Sequence, residues 1–212
     1  MPTKKIDGKY LKKPFKAFKI KYKDLFTLSE LYKALYEWMQ EYNWRAPHYK
    51  HADGAAAADN IDYLERYYYH KQDAGGMTEH FIFWRLEKNP NNNTRLKWYL
   101  DINFHTLALK PTEVLRDNKK IKTDKGEVEI EIQAYLEKVY AREMDSNKYL
   151  KLFKKLFTEQ AYHDQIEQSE KDLYHESYLL QNFIKQWFKL KRYQPYEETK
   201  SFHPSYAYPS HR

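Results

Sequence analysis

The sequence predicts an α+β protein in which an antiparallel β-meander packs against a long helix near the C-terminus. Apolar and polar residues alternate along several segments, as in half-buried strands, and the period becomes helical from Asn147 onward. Short connections rich in Asn, Asp and Gly separate the strand segments, which favours antiparallel hairpins. The 21 Tyr, 11 Phe and 5 Trp residues supply large side chains for a core.

The first predicted elements are a strand and a helix. Residues 18–23 read Phe-Lys-Ile-Lys-Tyr-Lys, an alternation that predicts a strand with lysines on its polar side. A helix is predicted over 27–43, because Thr27 and Glu30 have the spacing of a capping box. The residues that then recur at helical spacing are Leu28, Leu31, Leu35, Trp38 and Met39.

The meander follows this helix. Strands are predicted at 61–72, 80–86, 96–109, 112–116 and 127–140, with a break at Pro111 and turns at 73–76, 89–93, 117–118 and 124–126. The last of these strands carries glutamates on its polar face, and opposite charges stabilise cross-strand pairs. The lysine strand at 18–23 is therefore predicted to lie beside the glutamate strand at 127–140.

Helical periodicity returns in the last third of the chain. Two helices are predicted, one from Asn147 to about Ala161 and a longer one from about His163 to Tyr193. The sequence thus divides into a basic aromatic arm at 1–16, a single α+β domain at 17–193 and an extended tail at 194–212, which is rich in Pro and aromatic residues.

Positive charge is concentrated at the N-terminus. Residues 1–23 hold nine lysines and one acid, whereas the whole chain has a net charge of +7, so the rest is almost neutral. Such an arm favours contact with a polyanion, either nucleic acid or an anionic membrane, or with a neighbouring subunit. An arm that simply folds along the body is the other interpretation. The predicted contacts are Lys4, Lys5, Lys9, Lys12, Lys13 and Lys16, with the aromatic residues Tyr10 and Phe15.

Several classes of function are disfavoured by composition. The chain has no Cys, which excludes disulfides and thiolate metal sites, and its five Gly residues do not form a phosphate-binding loop. We therefore expect no cofactor. Neither an apolar run long enough to span a membrane nor a signal peptide is evident, so we expect a cytoplasmic protein, with a membrane surface as a possible location.

Two groups of residues are candidates for chemistry. His48, His51 and Asp53 offer two imidazoles and a carboxylate to a metal ion, although their spacing fits no standard site. The polar face of the strand at 96–109 offers Asp101, which could orient His105 as a general base. The simpler interpretation is that this is the solvent-exposed face of a half-buried sheet, and no sequence motif indicates catalysis. Further members of this face and its neighbours are Tyr99, Asn103, Glu65 and Arg85.

Two resemblances add to these expectations. The segments Tyr22–Leu25, Tyr99–Ile102 and Gly126–Ile130 resemble those of an uncharacterised group of small archaeal proteins, which implies no function or site. The predicted element order is similar to the helix-grip fold of START-like lipid-binding proteins, and a pleckstrin-homology-like sheet is a second fit that leaves the helix at 27–43 unexplained.

The sequence thus favours a non-enzymatic interaction or structural protein that acts in a larger assembly or a homo-oligomer. The alternative is a hydrophobic-ligand binder or enzyme of helix-grip type, with a cavity under the C-terminal helix. Under that alternative the polar strand face would line the cavity.

Overall fold

A six-stranded antiparallel sheet forms the centre of the molecule in the computed structural model, and helices pack on one of its faces. The structure describes residues 8–47, 64–90, 94–116, 119–146, 149–150 and 162–190. The strands are β1 (Leu11–Lys12), β2 (Phe18–Phe26), β3 (Glu65–Gln72), β4 (Thr78–Lys88), β5 (Leu96–Arg116) and β6 (Lys119–Lys138), and the helices are α1 (Leu28–Glu41), α2 (Val139–Ser146) and α3 (His163–Trp187). A short 3-10 helix, Gly8–Tyr10, precedes β1.

The strands follow the order β1–β6–β5–β4–β3, and β2 pairs with β6 on the same side as β1. The hairpin turn between β3 and β4 uses Asp73 to Met77, with the Asp73 N–H donating to the Met77 carbonyl at 2.8 Å and Gly76 at φ 75°. This turn was predicted, and the α+β class with an antiparallel sheet is confirmed. The predicted connection at 89–93 and turn at 117–118 fall partly or wholly outside the described residues.

The hydrophobic core lies between the inner face of the sheet and helices α1 and α3. Alternate residues of β5 and β6 are buried there, as the sequence predicted: Trp98, Leu100, Ile102, Phe104, Val128, Ile130, Ile132, Ala134 and Leu136. Trp84 of β4 packs edge-on against Tyr32 of α1, and Trp98 of β5 donates its indole N–H to Ser169 of α3 at 2.8 Å. Both helices therefore cover the same face.

Helix α1 forms where the sequence predicted it, with Leu31, Leu35, Trp38 and Met39 buried. The predicted capping box is not made: Thr27 is the N-cap but its side chain makes no capping hydrogen bond. The first turn is closed by the backbone, with the Leu31 N–H donating to the Thr27 carbonyl at 3.1 Å. The helix ends because Asn43 adopts a left-handed conformation at φ 58°.

Helix α3 begins at His163 and buries Leu173, Leu180 and Ile184 against the sheet. It ends at Trp187, six residues before the predicted Tyr193, because Lys189 turns left-handed at φ 55° and the Leu190 N–H returns to the Lys185 carbonyl. No helix among the described residues is long and apolar enough to cross a membrane.

The segment between β6 and α3 differs from expectation. Val139 and Tyr140 were predicted to end the last strand, but they begin α2, in which Tyr140 and Ala141 are buried. The predicted helix from 147 to 161 lies outside the described residues except for Tyr149 and Leu150. The predicted tail at 194–212 lies outside them entirely.

The lysine strand and the glutamate strand are neighbours, as predicted. Strand β2 pairs antiparallel with β6, with Lys19 opposite Glu131 and Lys21 opposite Glu129. The Lys21 Nζ lies 2.5 Å from a Glu127 carboxylate oxygen, a diagonal contact that raises the pKa of Lys21 and lowers that of Glu127. Cross-strand charge pairs therefore help to define the register of this side of the sheet.

Two predicted strand ends are wrong. Strand β5 continues through Pro111 to Arg116, and the predicted turn at 124–126 is part of β6. A bulge between Leu107 and Lys110, with Ala108 at φ 50°, keeps the pairing continuous. Because β4 begins opposite Leu109, no described strand pairs with β5 on that side from Pro111 onward, and such a strand tolerates proline.

Candidate functional site

The outer face of the sheet, which points away from α1 and α3, holds the polar residues of β5 that the sequence singled out. His105 and Asn103 are partly exposed there, but Tyr99 and Asp101 are only 5% and 4% exposed. The interpretation of this face as solvent-exposed therefore holds for the half with Asn103 and His105 and fails for the half with Tyr99 and Asp101. The buried half was not evident from the alternation.

Asp101 and Arg85 form a pair on this face. They lie opposite one another on β5 and β4, with the Arg85 Nε 3.6 Å from the Asp101 Oδ1. Arg85 also donates to its neighbouring Trp84 carbonyl at 2.7 Å. Burial raises the pKa of Asp101, and the guanidinium opposes that rise. The pair has the character of a structural ion pair.

His105 has a different partner from the one considered in the sequence. Its Nε2 lies 2.8 Å from a Glu79 carboxylate oxygen, and its ring stacks on Phe81 with centroids 4.3 Å apart. Asp101 is four residues away along the same strand, which corresponds to roughly 13 Å. The structure thus does not bring Asp101 and His105 together. Glu65 sits opposite Trp84 on β3, at the margin of a cleft beside α1.

A buried polar network near α2 was missed by the sequence analysis. Glu137, predicted to lie on an exposed acidic face, is only 1% exposed. Its carboxylate accepts hydrogen bonds from the Tyr99 hydroxyl and from Arg142 of α2, both at 2.6 Å. Burial and this carboxylate raise the pKa of Tyr99 far above its usual range. The only sequence signal is a glutamate five residues before an arginine, which is too common to be informative.

The described part of the N-terminal arm packs along the body. Tyr10 is buried and donates to Asp145 at 2.6 Å, Lys9 lies 3.7 Å from the same carboxylate, and Lys12 lies 2.7 Å from Glu170 of α3. The other described arm residues are placed as follows: Lys13 over the Tyr135 ring at 5.4 Å, Phe15 stacked on Phe18 at 4.5 Å, and Lys16 exposed. Lys4 and Lys5 lie outside the described residues.

The metal-site candidates are not placed by the structure. His48, His51 and Asp53 lie outside the described residues. Within the described ranges, no group of three or more His, Asp or Glu side chains is arranged to hold a metal ion.

Three consecutive tyrosines lie on the last strand of the described sheet. Strand β3 is the end strand of the described sheet, and seven of its eight residues are exposed. Tyr67, Tyr68 and Tyr69 are each about half exposed, at 48%, 49% and 47%. Tyr67 stacks on Phe83 at 5.3 Å and Tyr69 lies beside Phe81 at 6.2 Å. We call Tyr67, Tyr68 and Tyr69 the tyrosine edge.

His80, next to the tyrosine edge, should make stability sensitive to acid. Its Nδ1 is 3.0 Å from the Tyr68 hydroxyl, and burial together with the nearby His70 lowers the pKa of His80. The unfolded chain therefore binds a proton at His80 more readily than the folded chain does. The contribution of neutral His80 to the free energy of unfolding is thus present above pH ~6.5 and is lost as the pH falls further. We expect His80→Gln to flatten the fall in unfolding free energy between about pH 6.5 and 5, measured by urea titration.

The exposed His175 of α3 offers a matched control for this experiment. His175→Gln makes the same substitution on a different element and controls for the change of residue type. Superimposable curves for the His80 variant and the wild type would contradict the prediction.

Comparisons with known proteins identify no relative. No family model, curated protein or solved structure matches the chain. The class that the fold defines is an α+β protein with a six-stranded antiparallel sheet, and function has to be argued from its surfaces.

Proposed function

We propose that the protein is a non-enzymatic interaction protein that works in a larger assembly, and that its tyrosine edge pairs with a neighbouring subunit. The observation that carries the proposal is an end strand of the described sheet with three half-exposed aromatic residues in sequence, Tyr67, Tyr68 and Tyr69. Unpaired edges present backbone donors and acceptors to another strand, and exposed aromatic clusters are typical of contact surfaces.

The two edges of the sheet differ in a way that supports this choice. On the opposite edge, β2 places Lys19, Lys21 and Lys23 at alternate positions, and charged side chains of this kind discourage pairing with another chain. At the β3 edge the corresponding stretch is aromatic. The chain thus protects one edge and leaves the other suited to association.

A second copy of the chain fits the tyrosine edge. Antiparallel pairing about a two-fold axis at Tyr68 would place Tyr67 opposite Tyr69 of the partner subunit, and the reverse. Cross-strand aromatic pairs each contribute about 0.2 to 1 kcal/mol, so the symmetric register gives every tyrosine an aromatic partner. A symmetric dimer with one continuous sheet is the expected product.

This pairing can be tested by light scattering coupled to gel filtration. The full-length protein should run as a dimer at a protein concentration on the order of 10 μM. The double variant Tyr67→Lys/Tyr69→Lys should run as a monomer, because it places like charges opposite one another across the interface. Leu25→Lys on β2, where Leu25 is also partly exposed at 38%, should remain dimeric. The single variant Tyr69→Lys keeps the test usable if the double variant unfolds. A monomeric wild type would overturn the proposal.

Contact of the N-terminal arm with a polyanion or neighbouring subunit remains part of this proposal. Lys9 and Lys12 already face carboxylates of the body, so a polyanion would have to compete with Asp145 and Glu170. This supports a role for the described arm in binding the body or a neighbouring subunit more than in gripping nucleic acid or lipid.

A ligand-binding protein of helix-grip type is the second candidate. The sheet with α3 across one face supports that arrangement, and a cleft of about 610 Å³ lies within the size range of small-molecule sites. The cleft lies beside α1, and none of the described residues that line it comes from α3. They are Leu28, Ser29, Tyr32, Lys33, Glu65, Tyr68, Ile82 and Asp124. The cleft favours a ligand site at the first helix over one under the last.

A further inference from the structure

The long β5–β6 hairpin continues past the rest of the sheet. Strand β4 begins opposite Leu109 and β2 ends opposite Asp124, so beyond these residues β5 and β6 pair only with each other in the described structure. We call residues 110–116 and 119–125 the β-ribbon. The five residues of β6 beyond the end of β2, 119–123, span about 17 Å at the usual rise of a strand.

Charge is divided unequally between the two faces of the β-ribbon. Directly paired residues share a face, and successive pairs alternate. One face holds the pairs Leu115/Lys120, Glu113/Lys122 and Pro111/Asp124, whose charges cancel. The other holds the pairs Lys110/Lys125, Thr112/Thr123 and Val114/Ile121, which include two cations and no carboxylate. We call the latter the basic face.

The neighbouring surface confines this positive potential to the β-ribbon. The basic face continues the outer face of the sheet, where β6 next presents Glu127, Glu129 and Glu131. Those carboxylates lie beside lysines of β2, with Lys19 3.6 Å from Glu129 and Lys21 2.5 Å from Glu127. Lys110 and Lys125 are exposed at the base of the ribbon. An anionic partner would therefore be attracted to the ribbon and not to the sheet below it.

We infer that the basic face of the β-ribbon binds the phosphate backbone of a nucleic-acid duplex, with the ribbon entering a groove. A two-stranded ribbon fits the major groove of B-form DNA, which is about 12 Å wide. Threonine hydroxyls are common partners of phosphate oxygens, and Thr112 and Thr123 form the next pair along this face beyond Lys110 and Lys125.

This inference goes beyond the proposed association through the tyrosine edge. The β-ribbon and β3 share no residue, and β5 with β4 separates them in the sheet. Either activity can be lost without the other, so their tests are independent.

The test measures binding of the full-length protein to a mixed-sequence duplex of about 20 base pairs by fluorescence anisotropy over a range of salt concentrations. The slope of log affinity against log salt should be about −1.8 or steeper, since Lys110 and Lys125 neutralise two phosphates. Lys110→Gln/Lys125→Gln should reduce the magnitude of that slope by about 1.8, because two phosphate contacts are lost.

A charge-matched control lies on the opposite face. Lys120→Gln/Lys122→Gln removes the same charge from exposed positions of the other face and should keep the wild-type slope. All variants should keep the wild-type Tm, since the substituted side chains are exposed. Equal slopes for the two double variants would overturn the inference, as would the absence of saturable duplex binding at low salt.

Two further probes separate nucleic acid from other polyanions. A single strand of the same length should bind more weakly than the duplex, because the groove is missing. Vesicles containing phosphatidylserine should sediment little protein. Sedimentation with these vesicles in the absence of duplex binding would show that the ribbon contacts a membrane, and would refute the inference.

Discussion

Replacement of Gly126 by valine should destabilise the protein by about 3 kcal/mol or more, because the site is already in contact with the neighbouring strand. A Cβ atom at Gly126 would lie 2.8 Å from the Leu109 Cδ2 and 3.0 Å from the Leu109 Cα and the Leu107 carbonyl oxygen. Two of these atoms belong to the backbone at the β5 bulge, which cannot move without breaking the ladder. The free energy of unfolding in urea measures the effect.

Gly75 provides the matched control for this substitution. It lies in the β3–β4 turn, and a Cβ there meets only the flexible end of Met77 at 3.9 Å. Gly75→Ala should leave stability unchanged or raise it by up to about 1 kcal/mol through the unfolded chain. If Gly126→Val proved as stable as the wild type, the close approach of β5 and β6 at the bulge would be refuted, since valine otherwise favours strands.

The second large effect is expected at the contact of α3 with the sheet. Leu180 is fully buried between the helix and the inner face. Leu180→Ala should lower the unfolding free energy by about 2 to 5 kcal/mol, because it removes buried methyl groups and leaves a cavity. This is a large part of the stability of a typical domain, about 5 to 15 kcal/mol.

Leu115 offers the same substitution in the opposite environment. It is 69% exposed on the β-ribbon, so Leu115→Ala should change the unfolding free energy by less than about 0.5 kcal/mol. The two variants should be compared by urea and thermal unfolding. Similar losses in both, or a loss below about 1 kcal/mol for Leu180→Ala, would mean that α3 does not seal the core.

The buried network around Glu137 shows why part of the outer face escaped prediction. The alternation along β6 places Glu137 in line with the partly exposed glutamates Glu127, Glu129 and Glu131, and a lone strand would leave it in contact with water. It is buried because α2 folds back and Arg142 reaches the carboxylate, while Tyr99 approaches from β5. The local alternation of apolar and polar residues predicts neither contact.

The contacts of the N-terminal arm were also not predictable from the local sequence. Its lysines and aromatic residues are equally suited to a polyanion and to the body of the protein. In the structure Tyr10 is buried and meets Asp145, 135 residues away in the chain. Because such contacts depend on where distant acids lie, composition defined the chemistry of the arm but not its partner.

By itself the sequence determined the α+β class, the position of α1, the buried face of β5 and β6, and the pairing of the lysine strand with the glutamate strand. These features follow from periodicity and charge, which act between near neighbours or along a whole strand. Only the tertiary structure decided that the strands run on through Pro111 and Gly126, that His105 meets Glu79, and that a basic ribbon projects from the sheet. Proline and glycine end strands when they are considered alone, but a bulge and a closely approaching neighbour can accommodate both, and that neighbour is set by the fold.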